Sequence, residues 1–267
     1  MLFGTKSDNL RVGDTDMDYV VFGRGETHLV IIPGLGDGLR TVKGTALPLA
    51  FMYKDYARNY RVHFFSRKNQ LQEGYSTREM ARDLKIAMDA AGIKKAHVMG
   101  LSQGGMIAQY LAIDYPEVVD RLIIGVSLAR QNETIHRVVS SWITMAETED
   151  YGALFVDSLE KTYAEDKVKK YRPFYFILRK VGRPRSLSRF IIQAKACLGH
   201  NAFDELDRVQ SFTLVIGDDS DQVVGHTASE EIASRIPQSR LHVTHGLGHG
   251  AFEYKQFNYQ VLRFLND

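Results

Sequence analysis

The sequence has little cysteine and no long apolar run, and both shortages exclude classes of protein. Its 267 residues include one cysteine, Cys197, so an internal disulfide is impossible and a reducing cytoplasm is compatible. Residues 1–11 lack the apolar run of a signal peptide, and no segment approaches 18 uninterrupted apolar residues. Internal repeats and low-complexity tracts are also missing. We therefore expect a cytoplasmic protein without a transmembrane segment.

The small net charge of +2 hides one strongly basic segment. Residues 167–195 contain ten of the 34 Lys and Arg side chains and none of the 32 acidic ones, and they include Tyr171, Phe174, Tyr175 and Phe176. A mixture of basic and aromatic residues is found in nucleic-acid-binding and membrane-binding proteins. No recognised nucleic-acid motif accompanies it, so we expect no nucleic-acid partner. The favoured interpretation is a helical segment with a solvated basic face, which biases the protein toward anionic substrates.

Strand-like and helix-like segments alternate over most of the chain, which predicts an α/β fold. This alternation is typical of a mostly parallel sheet with helices on both faces. The predicted strands are Tyr19–Phe22, His28–Ile32, Arg61–Phe65, Ala96–Met99, Leu122–Val126, Phe212–Ile216 and Arg240–Val243. The predicted helices are Thr77–Ala91, Gln103–Asp114, Thr227–Arg235 and Ala251–Leu265.

The alternation stops in the middle of the chain. Residues 131–206 show helical periodicity and no strand signal, with Trp142, Leu154 and Phe190 among the apolar positions. We interpret this segment as a helical lid inserted into a core formed by residues 1–130 and 207–267. A long insertion at the carboxyl edge of a sheet costs little stability and suits a cover over a substrate.

The most specific motif is Gly100-Leu101-Ser102-Gln103-Gly104, which lies between a predicted strand and a predicted helix. In that context Gly-x-Ser-x-Gly forms a sharp turn that exposes the serine hydroxyl at the edge of the sheet. Glycines flank the serine because a β-carbon there would meet the strand or the helix. Ser102 is therefore the candidate nucleophile.

A serine hydroxyl needs a base, and the candidate base is His249. It lies in Gly246-Leu247-Gly248-His249-Gly250, after a strand and before the last helix. His97 and His242 fall within strands, and His245 comes one step too early in the loop. His63, His136 and His200 have no comparable setting.

The base in turn needs a carboxylate to orient it, and three aspartates follow a predicted buried strand in residues 217–224. Asp221 is favoured because the apolar pair Val223-Val224 would anchor its loop. Asp219 is its main rival. The remaining aspartates are then turn formers.

Attack of a serine on a carbonyl produces a negative oxygen that needs preplaced hydrogen-bond donors. One predicted donor is the backbone amide of Gln103, directly after the nucleophile. The other is the backbone amide of Leu35, in the turn Pro33-Gly34-Leu35-Gly36 that follows a predicted strand.

These residues resemble the α/β-hydrolase superfamily, in its lidded esterase-like branch. The resemblance covers nearly the whole chain apart from the lid. It implies an eight-stranded sheet, an acyl-enzyme mechanism and no cofactor or metal, and it supports Asp221 over its neighbours. One departure is Pro33-Gly34, where the family often has His-Gly. Ser102 argues against the dehalogenases and epoxide hydrolases of this fold, which carry aspartate at that position.

The sequence thus predicts a serine hydrolase that cleaves a carboxylic ester of a small molecule. The same three residues would also serve on a thioester, a lactone, an amide or a carbon–carbon bond. A receptor that keeps the fold and senses a ligand without turnover is the alternative from another class. The sequence leaves the physiological substrate and the oligomeric state open.

Overall fold

The computed structural model describes residues 4–180 and 182–267, and the described residues contain one eight-stranded sheet. Its order is β1-β2-β4-β3-β5-β6-β7-β8. The pairs β1–β2 and β2–β4 are antiparallel and the others are parallel. The strands are β1 (Lys6–Val12), β2 (Thr15–Phe22), β3 (Thr27–Ile32), β4 (Tyr60–Lys68), β5 (Ala96–Leu101), β6 (Val119–Gly125), β7 (Phe212–Asp218) and β8 (Ser239–Thr244). The predicted fold class, a mostly parallel eight-stranded sheet, is confirmed.

Helices cover both faces of the sheet. The α-helices are α1 (Ala46–Met52), α2 (Lys54–Ala57), α3 (Thr77–Ala90), α4 (Gln103–Asp114), α5 (Glu133–Glu147), α6 (Tyr151–Thr162), α7 (Glu165–Tyr171), α8 (Tyr175–Leu178), α9 (Ser188–Leu198), α10 (Ala228–Arg235) and α11 (Lys255–Asn266). Short 3₁₀ helices lie at Leu35–Gly38, Pro116–Val118, Arg172–Phe174, Phe203–Arg208 and His249–Glu253. No helix in the described part of the chain has the length and apolar character needed to cross a bilayer.

The strand sequences explain why helices pack on both sides. Along β3, Val30 and Ile32 belong to one buried apolar cluster, with residues of α3, α4 and α10. Leu29 and Ile31 belong to a second cluster, with residues of α2 and α11. Successive side chains of a strand point to opposite faces, so a continuous apolar run serves two cores.

The structure corrects two details of the predicted elements. The predicted strands do not include β1, because its side chains are mostly exposed and give a weak apolar signal. The predicted helix Ala251–Leu265 is wrong at its start. Residues 249–253 form a 3₁₀ helix, and Tyr254 takes an extended conformation (φ −90°, ψ 148°) before α11 begins.

The segment between β6 and β7 contains α5 to α9 and no strand among its described residues. α5 packs against α9, and α9 packs against the 3₁₀ helix Leu35–Gly38. A β-carbon on Gly38 would lie 2.8 Å from the Cα atom of Phe190, so glycine permits this close approach. The helical segment therefore contacts the core at the carboxyl ends of the parallel strands. Its role as a lid, and the boundaries 131–206, stay predictions.

Candidate active site

Ser102 occupies a strained turn between β5 and α4. Its backbone has φ 54° and ψ −119°, a conformation that residues with a β-carbon rarely adopt. Its amide donates to the carbonyl of Gly125 (2.9 Å), and its carbonyl accepts a hydrogen bond from Ser127 Oγ (2.8 Å). Strain of this kind costs on the order of 1–3 kcal/mol and persists only where the surroundings hold it.

Two flanking glycines make the turn possible. A β-carbon on Gly100 would lie 2.3 Å from the carbonyl oxygen of Gly104. A β-carbon on Gly104 would lie 2.0 Å from the carbonyl oxygen of Ile32, on the neighbouring strand. Both distances are well below van der Waals contact, so the Gly-x-Ser-x-Gly spacing follows from the packing of strand and helix.

A continuous hydrogen-bonded chain joins the predicted nucleophile, base and acid. His249 Nε2 lies 2.8 Å from Ser102 Oγ, and His249 Nδ1 lies 2.8 Å from Asp221 Oδ2. The side chains of His249 and Asp221 are both buried. Asp221 Oδ1 accepts from the amides of Val223 (2.8 Å) and Val224 (3.0 Å), which orient the carboxylate toward the ring. The structure thus brings together three residues that lie far apart in the sequence.

The neighbouring aspartates serve other parts of the loop. Asp219 is exposed, and its Oδ2 lies 2.7 Å from His245 Nδ1, so it does not contact His249. Asp218 is buried and accepts hydrogen bonds from the amides of Leu247 (3.1 Å) and Gly248 (2.9 Å). Asp218 therefore holds the loop that carries His249, a role that the sequence analysis did not distinguish from turn formation.

Two other histidines, His63 and His200, are interior side chains of the fold. His63 lies against His28, with 3.0 Å between ring nitrogens. His200 lies 2.9 Å from Thr77 Oγ1 and packs edge-on against Tyr110. Burial lowers the pKa of His63 and of His200 to about 3, so both rings are neutral at physiological pH.

The loop after β3 lies against the serine, as the oxyanion-hole prediction requires. A β-carbon on Gly34 would be 3.3 Å from Ser102 Cβ and 3.7 Å from its Oγ, so the backbone approaches with no side chain between. Leu35 is the first residue of a 3₁₀ helix, and Gln103 is the first residue of α4. The first amides of a helix have no partner within it, so both are available to an external acceptor.

A cavity of about 450 Å³ opens above Ser102 and His249. Apolar side chains dominate its lining and come both from the core and from α5, α6 and α9, among them Leu35, Met106, Trp142, Leu154, Phe190, Val223 and Phe252. Asp37 and Arg40 are the acidic and basic side chains among the described lining, and His249 is its one histidine. The periodicity of residues 131–206 marked Trp142, Leu154 and Phe190 as apolar anchors but could not show that they face a cavity.

The basic segment turns most of its charge away from this cavity. Of the described residues 167–195, Phe190 alone lines it. Five of the ten basic side chains form ion pairs with acidic residues of the same chain: Lys167–Glu253, Arg172–Glu165, Arg183–Glu149, Arg189–Asp37 and Lys195–Glu147. The bias toward anionic substrates stays a prediction, without a contact from this segment to support it.

No group of three or more His, Cys, Asp or Glu side chains among residues 4–180 and 182–267 is arranged to hold a metal ion. Cys197 is buried, and burial raises the pKa of its thiol to about 12. The thiol is therefore protonated near neutral pH and is a poor nucleophile.

Comparison with known proteins gives a family match and several relatives. A family model described as alpha/beta hydrolase fold matches residues 27–175. A hydrolase from a Pseudomonas species, named for 2-hydroxy-6-oxononadienedioate and 2-hydroxy-6-oxononatrienedioate, is 30% identical over 207 residues, covering 69% of this chain and 68% of its own. A Caulobacter segnis protein, provisionally named carbamate hydrolase RutD, is 25% identical over 206 residues, 72% of this chain and 73% of its own.

Solved structures share the fold over almost the whole chain. The enol-lactonase from Burkholderia xenovorans LB400 superimposes with a TM-score of 0.83, covering 97% of this chain and 100% of its own. Its sequence is 19% identical, so this likeness concerns the architecture.

Proposed function

This chain belongs to the alpha/beta hydrolase family, and from that premise we propose that it is a serine hydrolase that cleaves a carboxylic ester of a small molecule. The observation that carries the proposal is the unbroken series Asp221–His249–Ser102, with 2.8 Å at each link, on the floor of an apolar cavity. A hydroxyl, an imidazole and a buried carboxylate in this order are the arrangement that turns a serine into a nucleophile.

The first half of the reaction forms an acyl-enzyme. Ser102 Oγ attacks the carbonyl carbon while His249 Nε2 takes the hydroxyl proton. Asp221 keeps the remaining proton on Nδ1 and stabilises the imidazolium. The amides of Leu35 and Gln103 bind the oxygen that becomes negative. The tetrahedral intermediate then collapses, the carbon–oxygen bond breaks, and His249 gives its proton to the departing alcohol.

The second half releases the acid. A water molecule replaces the alcohol and transfers a proton to His249 Nε2 as it attacks the acyl carbon. The second tetrahedral intermediate expels Ser102 Oγ, which recovers its proton from His249. No cofactor is needed for either step, because the proton that leaves the nucleophile is returned to the leaving group.

The cavity supports a compact, largely uncharged substrate. Its volume of about 450 Å³ falls in the range of small-molecule sites, and its lining is mainly apolar. Side chains of α5, α6 and α9 form part of that lining, so we propose that residues 131–206 act as the lid. Arg40 is the one cation among the described lining residues, and it is exposed.

Cleavage of a carbon–carbon bond is the second candidate reaction. The observation that favours it is the 30% identity to the Pseudomonas hydrolase named for 2-hydroxy-6-oxononadienedioate and 2-hydroxy-6-oxononatrienedioate. The relatives and the solved structure are named for a carbamate, for two hydroxy-oxo dioates and for an enol-lactone as the compounds hydrolysed. A serine adding to a carbonyl is a step that these bonds can share, so the residues of the site do not separate them.

Labelling with a fluorophosphonate tests the proposal before the substrate is known. We expect the wild-type protein to be modified at Ser102, and we expect Ser102→Ala to lose both labelling and hydrolysis of a short p-nitrophenyl ester. Ser158→Ala is the matched control, since Ser158 lines the same cavity and its hydroxyl donates to the carbonyl of Phe155. Unchanged turnover in folded Ser102→Ala would overturn the assignment.

A substrate panel then separates the reaction types. Esters, thioesters, lactones, amides and a 2-hydroxy-6-oxo-dienoate, matched in size to the cavity, should give the highest kcat/KM with an ester. A higher value for the dienoate would replace the proposal with carbon–carbon cleavage. Ligand-induced stabilisation with no labelling and no turnover would indicate a receptor.

A further inference from the structure

A buried arginine lies directly behind the proposed oxyanion hole. Arg67 belongs to β4 and is 3% exposed. One nitrogen of its guanidinium, Nη2, donates to the carbonyl of Pro33 (2.5 Å) and to Oε1 of Gln103 (3.0 Å). A single group thus bridges the two segments that carry the proposed oxyanion donors.

The side chain of Gln103 continues this bridge into the helical segment. It is fully buried, and its Nε2 donates to the carbonyl of Gln193 (2.7 Å) and to Cys197 Sγ (3.1 Å), both on α9. Gln103 is therefore held on both sides. Its orientation depends on Arg67 at one end and on α9 at the other.

A buried carboxylate, Asp37, holds the backbone of the arginine and lies near its charge. Asp37 Oδ2 accepts from the amide of Arg67 (3.1 Å), from Arg189 Nη2 (2.7 Å) and from Gln193 Nε2 (3.3 Å). Burial alone raises the pKa of Asp37, but attraction to Arg189 and Arg67, together with hydrogen bonds from Ser66 and from the amide of Arg67, outweighs it and the pKa lies below its ordinary value. With Asp37 ionised, the two guanidinium groups leave the cluster with one net positive charge.

We propose that Arg67 is a positioning residue of the oxyanion hole. It sets the separation between the loop that carries the amide of Leu35 and the turn that carries the amide of Gln103. Its positive charge also favours a negative oxygen bound between them. A cluster that served stability alone would gain little from a buried ion group, because well-packed apolar side chains of similar volume are often as stable. This inference rests on the proposed function.

The direct test uses an alkyl trifluoromethyl ketone, which a reactive serine converts to a hemiketal whose hydroxyl becomes an oxyanion. Its pKa, followed by ¹⁹F NMR, reports on the oxyanion hole independently of turnover. Arg67→Met should raise the hemiketal pKa by about one unit or more, since one unit is a tenfold loss of preference for the anion. It should also lower kcat for p-nitrophenyl esters by about 10², with little change in KM.

Arg78→Met is the matched control for loss of a multiply bonded arginine. Arg78 pairs with Asp114 (2.6 Å) and Glu205 (2.9 Å), and its neighbours include no residue of the proposed site. It should lower the melting temperature and leave both the hemiketal pKa and kcat at wild-type values. An unchanged hemiketal pKa in folded Arg67→Met would overturn the inference.

Gln103→Met provides a second route if Arg67→Met does not fold. This change keeps the backbone amide of residue 103 and removes the bond that its side chain accepts from Arg67. A raised hemiketal pKa would support the inference, and a wild-type value would overturn it. Failure of the wild-type protein to form any hemiketal would refute the proposed function itself, and so the two failures are distinguishable.

Discussion

Replacing Asp221 with asparagine should disable the base without disturbing the fold. In the wild-type protein, Oδ1 of Asp221 accepts two backbone amides, from Val223 and Val224, while Oδ2 faces His249 Nδ1. The oxygen of asparagine will stay with the two amides, so its NH₂ group will face the ring. A ring nitrogen that faces a donor must be the acceptor. The ring proton then moves to Nε2, and His249 cannot take the proton of Ser102.

The opposite orientation of the asparagine is disfavoured. It would place the NH₂ group against two backbone N–H groups and leave buried donors unpaired, at about 1–3 kcal/mol for each one. The tautomer is therefore set by the amides of Val223 and Val224. In serine proteases the same replacement lowers kcat by about 10⁴ while the geometry stays intact. We expect a fall of up to about 10⁴ here, which is about 5 kcal/mol of transition-state stabilisation.

The assay is kcat/KM for a short p-nitrophenyl ester, with thermal unfolding measured alongside. Asp219→Asn is the matched control, because Asp219 is two residues away, exposed and bonded to His245 instead. It should stay within about threefold of wild type, as expected for a surface change away from the reacting groups. If Asp219→Asn causes the large loss, or if folded Asp221→Asn keeps wild-type activity, the assignment of the acid is wrong.

Two further predictions concern the close packing at Gly104 and the buried histidine His200. Gly104→Ala should lower the free energy of unfolding by at least about 2 kcal/mol in urea titrations, because its β-carbon would lie 2.0 Å from the carbonyl oxygen of Ile32. Gly199→Ala is the control and should have little effect, since a β-carbon there would have no atom closer than 3.8 Å. Equal losses in the two variants would contradict the packing argument. The pKa of buried His200 falls to about 3 in the folded protein, whereas it is near 6.5 when unfolded, so acid protonates the unfolded state first. Wild-type stability should thus fall by about 2 kcal/mol between pH 7 and pH 5 through this residue, and His200→Gln should reduce that slope; an equal slope in both proteins would refute the argument.

Seven of the eight strands and a set of candidate reacting residues could be predicted from the sequence, for a physical reason. Parallel strands buried on both faces are short continuous apolar runs, such as His28–Ile32, and these stand out between glycines and helices. Ser102 stands out because the turn demands glycines two positions away on each side. The position of His249 after a strand, at the edge where the serine must lie, favours it as the base. The apolar pair Val223-Val224 and the family resemblance favour Asp221 over Asp219.

Other features left no local signal. The strand Lys6–Val12 lies at the edge of the sheet and exposes most of its side chains, so it lacks an apolar pattern. Asp37, Arg67 and Arg189 are separated by 30 and 122 positions, and each in isolation is typical of a solvated surface. Helical periodicity marks Trp142 and its neighbours as turned inward, but it cannot distinguish burial against protein from burial around a cavity.

Two residues that break local rules lie beside the proposed site. Ser102 has an unfavourable backbone conformation, and Arg67 is a charged residue that is only 3% exposed. Gly125 and Ser127 hold the backbone of the serine, and the backbone amide of Arg67 donates to Asp37. Natural sequences are otherwise consistent from local propensity to packing, so such violations beside a candidate site favour a function that outweighs their cost in stability. Both adjoin the segments that carry the proposed oxyanion donors, Leu35 and Gln103. The proposed site for a developing negative charge would account for both.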